Sequence, residues 1–176
     1  MAVGLLLLAA PLFAKVESSF SEAAEVAGER LELRGSSHFT YFRFSLYDAA
    51  LYLPPDAPAE TALEAAPKRL EIAYLREIPA DKIVEAGDRT LEKNTTEEER
   101  ASIDEQLSRI NAAYRTVEDG DRYTLTYVPG EGTTLALNEE TLATLEGEAF
   151  ARLYFRIWLG EDPVNKGLRD ALLGRE

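Results

Sequence analysis

The chain contains no cysteine. Disulfides, thiol nucleophiles and thiolate metal sites are excluded, and composition gives no redox clue to the compartment. Histidine occurs once, at His38, so a histidine metal cluster cannot be built from this chain alone. No metal site and no cofactor is expected. Positive charge is also scarce, with 19 Lys and Arg against 32 Asp and Glu and a net charge of −13. Such a surface repels phosphate backbones and anionic headgroups, which makes nucleic acid a poor partner. The acidic residues are scattered along the chain, so solubility is their plainest role.

No apolar run reaches the roughly 20 residues that a helix needs to cross a bilayer core. The nearest is Met1–Ala14, which is uncharged and carries four leucines at 5–8. It reads as a secretory signal cleaved after Ala14, although Lys and Arg are missing from its start and Leu12 stands at the −3 position. An uncleaved anchor and a buried first element are the alternatives. A periplasmic or secreted location is expected, with no stable membrane span after removal of the signal. Internal repeats, low-complexity tracts and linkers are absent too. The 176 residues, 45% hydrophobic and 29% charged, suit one domain with a sizeable core. The expected organisation is a signal at 1–14, a lead-in at 15–29 and a single domain at 30–176.

What is present is organised around Gly120–Leu137. Tyr123–Val128 and Thr133–Leu137 alternate apolar and hydroxyl side chains on either side of Pro129-Gly130-Glu131-Gly132. Alternation sends successive side chains to opposite faces of a pleat, and the proline and glycines suit a chain reversal. This predicts a β-hairpin. Glu148–Leu159 follows, with Phe150, Leu153, Tyr154, Ile157 and Trp158 at helical spacing. A hairpin followed by a one-faced helix points to an α+β layer architecture in which Trp158 is buried against the sheet.

Upstream, Arg30–Arg34 alternates as a strand and Gly35-Ser36-Ser37 reads as its break. Phe39–Leu53 is long for one strand, which suggests a bulge or bend within it, and Pro54-Pro55 ends it. Ala59–Ala66 suits a short helix and Arg69–Leu75 a strand. Pro79 opens a helix running to about Lys93. Thr95 and Thr96, three residues before Glu98 and Glu99, form potential capping boxes for another helix with the stripe Ile103, Leu107, Ile110, Tyr114. Thr141–Leu145 suits a third strand after the hairpin, and Leu168–Leu173 a terminal helix.

The residues spell no hydrolase triad. His38 lies beside Ser36 and Ser37, and sequence neighbours on a strand rarely meet as base and nucleophile, so it is read as a surface or edge histidine. Asp119-Gly120-Asp121 lacks the remaining ligands of a calcium loop, and Gly130-Glu131-Gly132 lacks the lysine of a phosphate loop. The candidate ligand-binding cleft is the row Tyr41, Arg43, Ser45, Tyr47, which period two places on one strand face, opposite Phe42, Phe44 and Leu46. That row is equally readable as the solvated face of an antiparallel sheet.

Ser45–Leu53, Arg69–Ile78 leading into the Pro79 helix, Gly120–Tyr123 through Leu135, and Ile157–Gly160 with Pro163, Val164 and Leu168 together resemble the chalcone isomerase-like family, particularly its bacterial exported members. The resemblance covers most of residues 30–173. It implies an open-faced β-sandwich, a large mainly antiparallel sheet with helices packed on one face. In the plant enzymes an arginine holds the attacking oxyanion, which is sensible because a fixed cation stabilises charge where it must lie. Phe39 stands at that arginine's place here. The strand threonine falls on Tyr47, and the helix tyrosine and asparagine fall near Pro79 and Ala86. No catalytic position is retained. The resemblance therefore implies an exported non-catalytic protein that binds a small amphipathic or fatty-acid-like ligand. An isomerase or lyase with a rearranged site using Arg43, and an envelope interaction protein without ligand, are the alternatives.

Overall fold

The computed structural model describes residues 20–175, so the expected signal Met1–Ala14 lies outside the described residues. Seven strands pair in chain order, each antiparallel to the next: β1 Ala23–Val26, β2 Glu29–Tyr41, β3 Phe44–Leu53, β4 Lys68–Tyr74, β5 Arg122–Val128, β6 Gly132–Leu137 and β7 Glu140–Leu145. Helices α1 Ala80–Asn94, α2 Glu97–Ala101 and α3 Asp104–Ala113 separate β4 from β5. Helices α4 Glu148–Tyr154, α5 Arg156–Leu159 and α6 Lys166–Leu172 follow β7. This is the α+β open-faced arrangement that the periodicities imply.

Period two decides what the helices cover. Tyr47, Ala49, Leu51 and Leu53 of β3, Leu70, Ile72 and Tyr74 of β4, and Tyr123, Leu125 and Tyr127 of β5 share one buried cluster. Leu91 of α1, Leu107 and Ile110 of α3, and Phe150, Leu153 and Trp158 of α4 and α5 complete it. Trp158 is buried, as its helix stripe requires. The alternate strand residues turn away, and Ala50 and Tyr52 join Val26 and Leu31 in a small second cluster. Each fully buried large apolar side chain contributes about 1.5–3 kcal/mol, so the helix-facing cluster dominates.

The hairpin of β5 and β6 is in register from Tyr123–Leu137 to Val128–Gly132. Four local expectations change. The lead-in contains β1, turned into β2 through Ala27 and Gly28 at positive φ. Gly35-Ser36-Ser37 does not interrupt β2, because the ladder to β3 absorbs the irregularity as a register shift between Leu33 and Gly35. Phe39–Leu53 is a hairpin, not one strand: the chain reverses at Phe42-Arg43, with Phe42 at φ 54°. Ala59–Ala66 supplies only a 3-10 turn, Ala59–Thr61.

The helices are more broken than their stripes suggest. Thr96 and Glu99 form the capping box of α2, but Ile103 leaves the helical region at φ −123°, and α3 starts afresh. Glu148–Leu159 is divided at Phe155, whose ψ of −15° tightens the turn between α4 and α5.

Helix α6 lies directly over β2 at Gly35. A Cβ at residue 35 would collide with the Ala171 carbonyl oxygen and crowd that of Leu172. Both obstacles are backbone and cannot rotate aside. Gly35→Ala is therefore expected to lift α6 and destabilise the fold by about 1–3 kcal/mol, measured by denaturant unfolding. An unchanged midpoint would show that α6 is not seated as described.

Candidate functional site

Between sheet and helices runs a seam of aromatic rings. Phe39 and Tyr47 face each other across the β2–β3 ladder, with ring centres 4.9 Å apart. Tyr47 is likewise opposite Tyr74 on β4, at 5.8 Å. The seam continues from Tyr74 to Tyr123 at 6.0 Å and from Tyr123 to Tyr114 at 5.2 Å. From the helix side, Tyr154 stacks on Phe150 at 5.0 Å and meets Trp158 edge-on at 6.1 Å. Offset and edge-on pairs of this kind are the favoured aromatic geometries.

Buried phenols need partners, and most of these have one. Tyr114 and Tyr154 share a hydrogen bond of 3.0 Å between their hydroxyls. Tyr123 accepts from the Arg115 amide at 2.8 Å and donates to the Arg115 carbonyl at 3.1 Å. The Tyr74 hydroxyl makes no hydrogen bond to any described residue. Burial pushes the ionisation of Tyr47, Tyr74, Tyr114 and Tyr154 far above the usual tyrosine range. Around Tyr74 the neighbouring Tyr114, Tyr47 and Tyr123 add to that effect, and beside Tyr47 the Trp158 side chain partly offsets it. None of the influences on these four hydroxyls comes from a basic side chain. The seam can donate and accept neutral hydrogen bonds, and it brings no positive charge to these four hydroxyls.

The expected row Tyr41, Arg43, Tyr47 is not assembled. Because the chain reverses at Phe42-Arg43, Tyr41 and Arg43 stand at the exposed hairpin tip, whereas Tyr47 is buried in the seam. Phe39, at the family's arginine place, fills its space by packing on Tyr47. The tyrosines at 74, 114 and 154 were not singled out as a site from sequence. Their faces were readable from the strand and helix periods, but their convergence from separate elements was not. His38 lies on the half of β2 that pairs with β3 alone, beyond the reach of β1, and its partly exposed imidazole sits between Asp48 and Ser45.

Two other features compete for attention. An open cleft of about 750 Å³ is lined by Ala62, Leu63, Leu159 and Leu173, with Arg156 and Arg169 at its sides. Its arginines are already engaged, Arg156 with the Asn94 carbonyl and Glu99, Arg169 with Asp170. Lys68 is buried at the far end of β4, over the rings of Tyr127 and Phe155 at 5.3 and 5.6 Å. Desolvation pushes its ammonium down to about 8. Six residues separate it from Tyr74, about 20 Å of strand, so it does not serve the tyrosine seam. Among the described residues no acidic, histidine or cysteine group of three could hold a metal, and no helix is long and apolar enough to cross a membrane.

A meandering antiparallel sheet, roofed on one side by helices with an aromatic seam between, defines the open-faced sandwich of the chalcone isomerase type. A family model described as chalcone isomerase-like matches residues 14–174, and the chain belongs to that family. No curated protein matches it in sequence. Among solved structures it is similar in fold to the Arabidopsis thaliana fatty-acid binding protein, with a TM-score of 0.60 and 13% identity over 87% of this chain and 96% of that one.

Two experiments probe the seam. Tyr154→Phe strands the buried Tyr114 hydroxyl and is expected to cost about 1–3 kcal/mol, whereas Tyr74→Phe removes a hydroxyl without a partner and is expected to be neutral or stabilising. Equal losses in thermal unfolding would contradict the hydrogen-bond assignment. The second concerns alkali. Unfolded tyrosines ionise near pH 10, while the four buried ones hold their protons well above that. Above pH 10 the unfolded state thus binds fewer protons, and each such tyrosine lowers stability by up to about 1.4 kcal/mol per pH unit. Below pH 10 this penalty is absent. In an alkaline titration these phenols should ionise only together with loss of near-ultraviolet circular dichroism. Gradual ionisation in an intact fold would refute their burial.

Proposed function

We propose that this protein is an exported, non-catalytic chalcone isomerase-like protein of bacterial type that holds a small amphipathic, fatty-acid-like ligand between its sheet and its helices. The observation that carries the ligand reading is Tyr74, a buried residue of the aromatic seam whose hydroxyl makes no hydrogen bond to a described residue. Small-molecule sites are typically apolar with a few placed polar groups, and a neutral phenol is a suitable donor for a carboxyl or ester head. Membership of the family and the fold shared with a fatty-acid binding protein support the same class of ligand.

Chalcone ring closure requires a cation near the developing oxyanion. Phe39 at the arginine place and Tyr47 at the threonine place supply none. Arg43 as a substitute cation has no observation in its favour, since it stands at the exposed hairpin tip. Export is supported by the apolar, uncharged start with its four leucines, and by a family match that begins only at residue 14.

Both parts of the reading are testable on one preparation from the native source. Native mass spectrometry is expected to show a retained lipid-sized mass, lost in Tyr74→Phe at unchanged thermal midpoint. A bare wild-type polypeptide would favour an interaction protein without ligand. N-terminal sequencing of the same material is expected to begin near Lys15, and a soluble cytoplasmic chain starting at Met1 would sink the export reading.

A further inference from the structure

The sheet face turned away from the helices carries a constellation that a bound ligand in the seam would not use. His38 of β2 and Asp48 of β3 are direct partners across the ladder. His38 Nδ1 lies 2.6 Å from Asp48 Oδ1, and His38 Nε2 lies 2.8 Å from Ser45 Oγ. Ser45 and Asp48 are three residues apart, which in an unbroken strand would send their side chains to opposite faces. The ladder is not unbroken: Phe39 pairs with Tyr47 and Thr40 with Ser45, leaving Leu46 as an extra residue. A bulge of this kind re-aims the side chain beside it. Here it turns the Ser45 hydroxyl onto the imidazole.

The chemistry of the donors fixes their roles. With Asp48 ionised and the ring neutral, the carboxylate only accepts, so Nδ1 carries the proton and Nε2 presents its lone pair to the Ser45 O–H. Exposure is graded in the order a nucleophile requires. The Asp48 side chain is 9% exposed, His38 is 26% exposed, and Ser45 is open to solvent. A triad is recognised by these relations, not by chain order or fold.

We propose that Ser45 is an activated nucleophile towards carboxylic esters, with His38 as its general base and Asp48 as the positioning residue for His38. Ser45 Oγ adds to the ester carbonyl carbon as its proton passes to His38 Nε2. The adduct expels the alkoxide, which takes that proton and leaves as the alcohol, and Ser45 holds the acyl group. Water then attacks the acyl carbon while giving a proton to Nε2. Ser45 Oγ departs and recovers the proton, releasing the acid. The sum is ester plus water to acid plus alcohol, and no oxidant or cofactor enters.

The nearby tip indicates which esters. Tyr41, Phe42 and Phe44 are 59%, 85% and 59% exposed, all within four residues of Ser45. Phe42 is held at φ 54°, a costly conformation for a bulky side chain. An apolar hairpin tip maintained under strain a few residues from Ser45 suits esters with an apolar acyl group. Because this face is opposite the seam, the proposal stands or falls independently of the ligand reading, and it confines the non-catalytic part of that reading to isomerase chemistry.

The test treats the full folded chain with an alkyl fluorophosphonate, in which an activated serine displaces fluoride, and locates the adduct by peptide mass mapping. Hydrolysis of p-nitrophenyl butyrate is followed in parallel. The expected result is an adduct on Ser45 in preference to Ser36 and Ser37, absent in Ser45→Ala and formed about 10²-fold more slowly in His38→Gln. Ester turnover should fall with it. Urea-denatured wild type is the second arm, needs no variant to fold, and should lose the preference for Ser45. No adduct at Ser45, an equal rate in His38→Gln, or equal labelling of the denatured chain would each overturn the proposal.

Discussion

A seven-stranded meander has two faces, and the helices among the described residues cover one of them. That inequality governs the remaining structure. On the covered face most side chains are apolar or carry their polar atoms into hydrogen bonds, as Tyr114 and Tyr154 do, and the hydroxyls of Tyr74 and Thr133 are exceptions among the described residues. On the other face the sheet must satisfy itself. Glu71 there is buried yet bridges Arg69 and Arg122 from within the sheet, and Asp48 meets His38. Removing the basic member leaves the buried carboxylate uncompensated, a loss moderated by the partial exposure of Arg69, Arg122 and His38. The polar groups of the open face are therefore constrained, as are the aromatic groups of the closed one.

The large features were legible because they are periodic. The β5–β6 hairpin, the β4 strand and the burial of Trp158 all follow from side-chain alternation or helical spacing, which backbone geometry enforces along a whole element. What escaped depends on single residues. Nothing in the composition of Phe39–Leu53 marks Phe42 as a turn residue, since turns at positive φ ordinarily select glycine or asparagine. With the reversal unseen, Tyr41, Arg43 and Tyr47 read as neighbours on one face. Likewise Gly35 looks like a strand breaker until α6 is seen lying across it.

The candidate site was legible in pieces. Tyr74 closes an alternating run with Leu70 and Ile72, Tyr114 closes the stripe begun at Ile103, and Tyr154 belongs to the helix stripe of Trp158. Each could be assigned to a buried face, but a tyrosine on a buried face is usually just core. Only the tertiary arrangement shows that these phenols meet, and that one of them lacks a partner. The contact of His38 with Ser45 was harder still, because it depends on the one-residue bulge at Leu46. Local periodicity placed the serine on the wrong face.

Strand order in the sheet equals strand order in the chain, and this bears on assembly of the fold. Most neighbouring strands are joined by tight reversals, so their ladders can zip from the turn without closing a large loop. The β3–β4 connection takes residues 54–67, and the β4–β5 connection is longer still, since α1, α2 and α3 intervene. Its closure entropy rises only logarithmically with loop length, but it must be met before the two halves of the sheet share a core. The sheet is thus a pair of sequence-local assemblies, β1–β4 and β5–β7, joined by the one ladder of large sequence separation, Lys68–Ala73 with Arg122–Tyr127, the kind of contact that slows folding. An edge of each half, β4 on one side and β5 on the other, stays unpaired until then. Those two strands are the ones through which a second copy could join before the chain completes its own sheet.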